Sequence, residues 1–170
     1  MIFTVYIKIA KMGCCYSLYE DKSLLECKLS TTPKITLEGI KTKVVVLDCY
    51  DGDTCDVILK FQKRMVQVRC RLYGIDTPEM KGPESDKAVK ARNKLIELVC
   101  GGSPLPNHIC KRQDIQSWME KEKQVCLAEF GKWDKYGRCL VTLYYNAINI
   151  NKKLIDMGLA KPYDGGTKTK

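Results

Sequence analysis

Residues 43–61 read KVVVLDCYDGDTCDVILKF, two runs rich in β-branched residues on either side of an Asp-Gly-Asp turn. An Asp-Gly pair between two such runs is a strong signal for a β-hairpin, because both residues tolerate the positive φ angles of tight turns. We therefore predict strands at 43–50 and 54–61. A third run, RMVQVRCRLY at 64–73, follows after only two residues. The three runs together predict an antiparallel meander.

A helix is predicted directly after the meander. The segment DKAVKARNKLIELVC at 86–100 places apolar side chains at helical spacing, and two glycines follow its last turn. Ser85 is the expected N-cap, because a hydroxyl there can accept a hydrogen bond from an amide of the first turn. The apolar face of this helix is expected to consist of Ala88, Ala91, Leu95, Leu98 and Val99.

The second half of the chain predicts two more strands. Residues 103–123 are rich in charge and contain proline, which indicates an insertion with a short helix at 115–121. The runs QVCLAEF and RCLVTLYY predict strands at 124–130 and 138–145, and a last helix is expected at 150–160.

This order of elements predicts the fold class. Five strands, with a helix after the third, match a five-stranded Greek-key barrel of the oligonucleotide-binding type. The expected fold is therefore α+β, mainly β, with two or three helices. We expect a variable N-terminal arm at 1–42, one domain at 43–163 and a polar tail at 164–170.

Composition limits the partners. The 170-residue chain has 29 Lys and Arg against 20 Asp and Glu, a formal charge of +9. Such a surplus favours polyanions such as nucleic acid or anionic lipid. The most apolar stretch, MIFTVYIKIA at 1–10, is too short for a membrane span or a secretory signal.

The ten cysteines include no CxxC pair. Half of them lie in apolar, strand-like runs and are expected to be small buried hydrophobes, namely Cys49, Cys55, Cys70, Cys126 and Cys139. We therefore expect a reducing, intracellular and cytoplasmic environment. The protein is separately expected to be a monomer. A zinc site at His108 with Cys100 and Cys110 is the disfavoured alternative, since a second pair of ligands is missing.

The stretch MGCCYS at 12–17 has the form of an acylation signal, which acts only at a true N-terminus. If the mature chain begins at Met12 or Gly13, then Gly13 would carry myristate, and Cys14 and Cys15 palmitate. Two acyl chains give stable membrane anchoring. With Met1 as the first residue, we expect an undecorated arm.

Charged and aromatic side chains are concentrated in three of the predicted loops. A site made of Asp53, Asp76 and the carbonyl of Thr77 would select Ca²⁺, Mg²⁺ or Mn²⁺ over zinc, because these are hard oxygen ligands. Arg71 and Arg138 offer planar forks that match phosphate oxygens.

The same loops carry a carboxylate suited to proton transfer. Glu79 can take a proton from water or orient it, while a metal ion polarises the phosphate under attack. This combination of residue types suits phosphodiester hydrolysis.

The order DGDT, R-x4-DTPE, DKYGR and GLA across residues 43–163 resembles the staphylococcal nuclease (thermonuclease) family. The resemblance implies the barrel described above and a Ca²⁺-dependent hydrolysis of DNA and RNA, with little sequence preference, that leaves 3′-phosphates. It implies metal ligands at Asp53, Asp76 and Thr77. It further implies that Glu79 is the general base and that Arg71 and Arg138 bind the phosphate. The implied substrate contacts are Lys135, Tyr136 and Tyr163.

Two departures from the family's type member leave alternatives open. The loop after DTPE is shorter and less rich in lysine, and residues 103–123 have no counterpart, so the substrate preference and the exonuclease mode stay undecided. Some relatives keep the barrel and lose the site. The alternative is therefore a catalytically inactive module that binds nucleic acid or protein, although the acids and arginines of the enzyme pattern are intact here.

Overall fold

The computed structural model describes residues 25–164. In that range the strands are β1 Lys41–Cys49, β2 Thr54–Phe61, β3 Arg64–Leu72, β4 Ile75–Asp76, β5 Val125–Trp133, β6 Cys139–Tyr145, β7 Ile148–Asn149 and β8 Lys161–Pro162. The helices are α1 Ser85–Val99, α2 Arg112–Glu122 and α3 Ile150–Asp156.

Five of the strands form a closed barrel. Antiparallel pairing gives the order β3-β2-β1-β5-β6, and a parallel pairing of β3 with β6 closes the ring. The predicted α+β barrel and its N-terminal meander are thus confirmed. Strand β7 pairs with the end of β6, and β4 with β8 forms a separate two-stranded ribbon.

The two hairpins of the meander have different turns. Asp51, Gly52 and Asp53 connect β1 to β2, as expected from their turn-forming side chains. Between β2 and β3, Gln62 and Lys63 both have positive φ angles, 45° and 67°. This is the backbone of a two-residue hairpin turn that follows the right-handed twist of the strands.

The core fills the barrel and the space beneath α1. Phe130 and Leu143 from the strands and Leu95 from α1 are among the largest fully buried side chains. Burying a side chain of this size contributes about 1.5 to 3 kcal/mol. Two details of the prediction for α1 were wrong, since Ile96 is fully buried and Leu98 only partly buried.

The predicted N-cap of α1 was also wrong. Glu84 is the N-cap, Ser85 is the first helical residue, and no side chain caps the helix. The backbone of Glu84, with φ −103° and ψ 14°, continues a turn in which the amide of Ser85 donates to the carbonyl of Gly82, 3.2 Å away. The chain is therefore already turning before Ser85, which lacks the extended backbone of a capping residue.

The insertion belongs to the domain. Its helix α2 is longer than predicted, and Ile115 and Met119 on its inner face are buried in the core beside Leu105. The other boundaries moved too: β1 begins at Lys41, and β5 continues to Trp133 through an irregularity in its pairing. The last helix ends at Asp156, because Gly158 adopts a φ of +68°.

The domain begins at Thr36, and residues before it belong to a separate unit. Of that unit the structure describes residues 25–35, which are exposed at every position. The acylation-like stretch 12–17 and the end of the polar tail, 165–170, lie outside the described residues. No helix among the described residues is long and apolar enough to cross a bilayer.

Candidate active site

The turn between β1 and β2 is held by its own first aspartate. Asp51 Oδ1 accepts hydrogen bonds from the amides of Asp53 and Thr54, at 2.9 and 2.6 Å. The amide of Tyr50 donates to the carbonyl of Thr54 at 2.9 Å and closes the hairpin. A side chain that bonds the following amides in this way stabilises the turn locally.

The same turn is pressed against two other parts of the chain. A Cβ added at Gly52 would lie 2.7 Å from Ala91 Cβ in α1 and 2.8 Å from Thr77 Cγ2 in the loop after β4. Only glycine permits this approach, because real Cβ atoms do not come so close. The approach brings Asp53 next to Thr77.

Asp53 is the centre of the site and is 3% exposed. Its Oδ2 accepts hydrogen bonds from the amide and the hydroxyl of Thr77, at 3.0 and 3.2 Å. Its Oδ1 accepts from Thr54 Oγ1 at 3.2 Å and from Arg71 Nη1. Four donors thus surround one carboxylate, which a carboxylate's lone pairs can just accommodate.

Arg71 links this carboxylate to the next loop. From β3, its Nη2 donates to Asp76 Oδ1 at 3.0 Å and to the carbonyl of Ile75 at 3.2 Å. Its guanidinium carbon lies 5.7 Å from the centre of the Tyr163 ring, within cation–π range. The side chain of Arg71 is 14% exposed, so water screens these ion pairs only weakly.

The surroundings of Asp53 raise the pKa of its carboxyl. Burial, followed by the negative charge of Asp51, raises the pKa of Asp53 to about 6, although Arg71 and the Thr77 amide lower it. Asp76 adds a further upward contribution. The negative charges of Asp51 and Asp76 therefore both disfavour ionisation of Asp53, while the guanidinium of Arg71 lies between Asp53 and Asp76.

The third loop is built around Asp134. Its Oδ1 accepts from the amides of Tyr136 and Arg138, at 2.8 and 2.9 Å, and its Oδ2 accepts from Arg138 Nε at 2.7 Å. Burial alone would raise the pKa of Asp134, but these hydrogen bonds outweigh burial and lower it. Arg138 Nη1 also donates to Thr54 Oγ1 at 3.2 Å, which connects the third loop to the first.

The remaining predicted site residues lie on these same loops. Glu79 is exposed in the connection from β4 to α1, which also contains Thr77. Lys135 and Tyr136 are exposed on the third loop, with the Lys135 Nζ 5.1 Å and the Arg138 guanidinium carbon 5.4 Å from the Tyr136 ring centre.

Direct contacts join most of the predicted site residues. Within it, side-chain bonds connect Asp53, Arg71, Asp76, Thr77 and Arg138, the last of these through Thr54. The predicted substrate contact Tyr163 joins through the ring contact with Arg71. Glu79 and Lys135 share the loops of this set.

Sequence reasoning missed three residues that support the site. Thr54 bridges Asp53 to Arg138, and Asp134 holds Arg138 in place. Buried Asn151 of α3 donates to the carbonyls of Tyr73 and Val141, both at 3.0 Å, and so ties the β3–β4 turn to β6. The aspartate that opens DKYGR is a visible turn signal, and Thr54 closes the DGDT motif, whereas nothing near Asn151 in the sequence points to its role.

The donor chemistry of the site fits a hard cation. Carboxylate oxygens are the preferred ligands of Ca²⁺, and a cation would favour the ionised form of Asp53, whose pKa is raised by burial first and by the charge of Asp51 second. Among the described residues, no three His, Cys, Asp or Glu side chains are grouped so as to hold a metal ion on their own. Carbonyl, water or phosphate oxygens would have to complete the coordination.

Comparison with known proteins identifies the family. A sequence model of the family described as staphylococcal nuclease homologue matches residues 69–170, which is more than half of the chain. This chain belongs to that family. The match covers the loops of Arg71, Asp76 and Arg138, whereas the hairpin of Asp53 precedes it.

This staphylococcal nuclease homologue is also similar to a curated protein of Haemophilus influenzae whose description reads uncharacterized endonuclease. The two are 29% identical over 118 residues, which cover 69% of this chain and 51% of the relative. The chain thus spans about half the length of the curated relative that it matches.

Proposed function

We propose that this staphylococcal nuclease homologue is a Ca²⁺-dependent nuclease that hydrolyses phosphodiester bonds of DNA and RNA with little sequence preference and leaves 3′-phosphates. The observation that carries the proposal is the contact chain from Arg71 through Asp53 and Thr54 to Arg138. It joins two guanidinium groups and a buried carboxylate in one site. Membership of the family and the similarity to a described endonuclease support nuclease activity in general.

The arginines are suited to hold the scissile phosphate. Arg71 and Arg138 each retain a partly exposed side chain, at 14% and 22%, and each is oriented by an aspartate. A planar guanidinium that is already oriented loses little entropy when it binds phosphate through two hydrogen bonds. Lys135, Tyr136 and Tyr163 surround this pair and are proposed to contact the adjoining nucleotides.

Asp53, Asp76 and the Thr77 carbonyl are proposed to hold the Ca²⁺. When bound, Ca²⁺ supplies positive charge that polarises the phosphate. Because Asp53 already accepts four hydrogen bonds, at least one donor must give way for it to act as a ligand. Arg71 is the donor that we expect to leave, since it can donate to an oxygen of the bound phosphate instead of to Asp53.

Glu79 is proposed as the general base. Its carboxylate accepts a proton from the attacking water while the water oxygen forms a bond to phosphorus. The bond from phosphorus to the 5′-oxygen breaks, and this oxygen takes a proton from a solvent water, so that the phosphate stays on the 3′ side. Arg71 and Arg138 stabilise the negative charge that accumulates on the phosphate oxygens.

The test is cleavage of single- and double-stranded DNA and RNA with Ca²⁺ or with a chelator. We expect no cleavage in chelator, and a loss of at least about 100-fold for each of Glu79→Gln, Arg71→Lys and Arg138→Lys, because a positioned base or charge donor is removed. The matched controls are Glu84→Gln, an exposed carboxylate before the same helix, and Arg69→Lys on the same strand as Arg71. Both controls should keep activity close to wild type.

The competing reading is an inactive module that binds nucleic acid or protein. Binding of an oligonucleotide without cleavage under any divalent ion would support that reading and reject the nuclease. Equal cleavage by wild type and all three site variants would reject the assigned roles.

A further inference from the structure

The insertion reaches the strand that leads into the active-site hairpin. Helix α2 begins at Arg112, whose Nη2 donates to Asp48 Oδ2. The guanidinium carbon of Arg112 also lies 5.7 Å from the centre of the Tyr50 ring. Arg112 therefore contacts Asp48 near the end of β1 and Tyr50 directly after the strand, immediately before the turn that carries Asp51.

Strand β1 is irregular at this point. Val46 pairs with Val57, but Asp48 pairs with Asp56, so β1 has one residue more than β2 between these pairs. A bulge of this kind changes the direction of the side chains that follow it and is common next to active sites. Here it places two aspartates directly opposite each other.

Both aspartates are more than nine-tenths buried, and like charges facing each other across strands are destabilising. Arg69 compensates Asp56 with two bonds, at 2.9 and 3.0 Å, and Arg112 compensates Asp48. Among the described residues, the other oxygen of Asp48, Oδ1, is buried without a hydrogen-bond partner. Arg69 also attracts Asp48, but Arg112 is the arginine that donates to it, and losing one member of such a buried pair leaves the charge poorly compensated.

Arg112 is carried by a firmly packed element. Ile115 and Met119, on the inner face of α2, are 2% and 0% exposed and belong to the core. The helix can therefore hold its first residue at a fixed place beside β1. The side chain of Asp53 is held by other contacts, among them the amide of Thr77.

We propose that Arg112 is a positioning residue for the active site, which holds the bulged end of β1 through Asp48 and Tyr50 and so fixes the turn that carries Asp53. The proposal rests on the nuclease function proposed above. It also gives a role to the insertion at residues 103–123, for which the sequence suggests none. The insertion would support the turn that carries the carboxylate of Asp53. Arg112 itself does not contact substrate.

The test compares Arg112→Ala with Arg69→Ala. The two arginines have similar exposure, at 52% and 56%, and each pairs with a buried aspartate, but only Arg112 contacts Tyr50. We expect Arg112→Ala to lower kcat at least about tenfold with KM for DNA within about twofold, since small misplacement of reacting groups has effects of this size. Arg69→Ala should keep kcat within about twofold of wild type. Arg112→Lys, which preserves the charge beside Asp48, should recover part of kcat.

A second variant separates positioning from folding. In the double variant Asp48→Asn, Arg112→Ala the buried charge is gone, so thermal stability should return toward wild type. Its kcat should stay low, because the hold on β1 is still missing. Recovery of both stability and kcat would overturn the positioning role.

A second measurement does not depend on catalysis. Hydrogen exchange at the amides of Asp53 and Thr54, both bonded to Asp51, should become at least about tenfold faster in Arg112→Ala and not in Arg69→Ala, because the turn opens locally. If wild type cleaves nothing, the nuclease proposal fails and exchange alone decides the positioning role. If wild type cleaves, and Arg112→Ala changes neither kcat nor exchange, the positioning role fails and the nuclease stands.

Discussion

Burial of Asp53 disfavours its ionised form, whereas the proposed role of Asp53 as a metal ligand requires that form. Its pKa is raised from 3.8 to about 6, by burial first and by Asp51 second. A carboxyl with a raised folded-state pKa stabilises the protein fully below its unfolded value and loses that stabilisation as the pH rises through its folded value. At neutral pH, without metal, the ionised Asp53 therefore costs roughly 3 kcal/mol.

This cost is measurable against Asp53→Asn, which does not titrate. We expect the free energy of unfolding of metal-free wild type, relative to the variant, to fall between pH 4 and pH 7, across the interval from 3.8 to about 6. Urea unfolding at several pH values tests this. Added Ca²⁺ should restore the lost stability of wild type at pH 7. A difference that does not vary with pH would show that Asp53 has an ordinary pKa.

Gly52 is the second residue on which the site depends. Replacing it with alanine would put a Cβ 2.8 Å from Thr77 Cγ2 and 2.7 Å from Ala91 Cβ, and the Ala91 atom cannot move without its backbone. We expect Gly52→Ala to destabilise the fold by about 1 to 3 kcal/mol and to reduce cleavage, because Thr77 is pushed away from Asp53. Chemical denaturation and an activity assay measure the two effects.

Gly131→Ala is the matched control, since the nearest atom to its added Cβ lies 3.5 Å away. Its stability should stay close to wild type. If Gly52→Ala is as stable and as active as Gly131→Ala, the contact between the hairpin and α1 is not tight.

At the scale of the strands, buried cysteines form a row across the barrel. The register pairs Cys49 with Cys55, Cys55 with Cys70, and Cys70 with Cys139, so that one thiol from each of four neighbouring strands lines up. All four are buried, as predicted, and are present as thiols. Burial raises the pKa of Cys139 to about 11, and a neutral thiol is a poor nucleophile.

The row predicts slow alkylation in the native state. With a maleimide at neutral pH, Cys55 and Cys139 should react far more slowly than exposed Cys110, and all three should react readily in denaturant. Peptide mapping by mass spectrometry measures each site. Native labelling of Cys55 at the rate of Cys110 would mean that the barrel opens often.

The elements themselves were foreseen to different degrees. The hairpin at Asp51-Gly52-Asp53 was evident, because turn chemistry is local. The start of α1 was misplaced by one residue, since it depends on a turn before Glu84. Helix α2 was underestimated, because its buried residues Ile115 and Met119 gain their apolar surroundings only from the barrel.

At the scale of the whole molecule, the cellular location is a prediction that rests on the N-terminal arm. We propose that, if the mature chain begins at Met12 or Gly13, the protein is anchored to a membrane by acyl groups at Gly13, Cys14 and Cys15, while the nuclease domain acts intracellularly. Without acylation we expect a cytoplasmic protein.

Mass spectrometry of the native N-terminus tests this. If the mature chain begins at Gly13, we expect a myristoyl group on Gly13 and membrane-bound protein in cell fractions, with Gly13→Ala releasing the protein because the first acyl group is lost. An unmodified chain that begins at Met1 would contradict anchoring and leave the nuclease proposal untouched.

The sequence by itself determined the barrel and the loops that carry the site. Alternating apolar residues and turn formers act over a few neighbours, so they can be recognised in order along the chain. The acids and arginines within these loops were recognisable for the same reason.

Only the tertiary structure decided which of these groups touch. Arg138 meets Thr54 across 84 positions of the chain, and Arg112 meets Asp48 across 64. Such contacts exist because β3 pairs with β6 to close the barrel and α2 packs against it. No local pattern encodes them, since a hydrogen bond depends on the positions of atoms that only the complete fold brings within about 3.2 Å of each other.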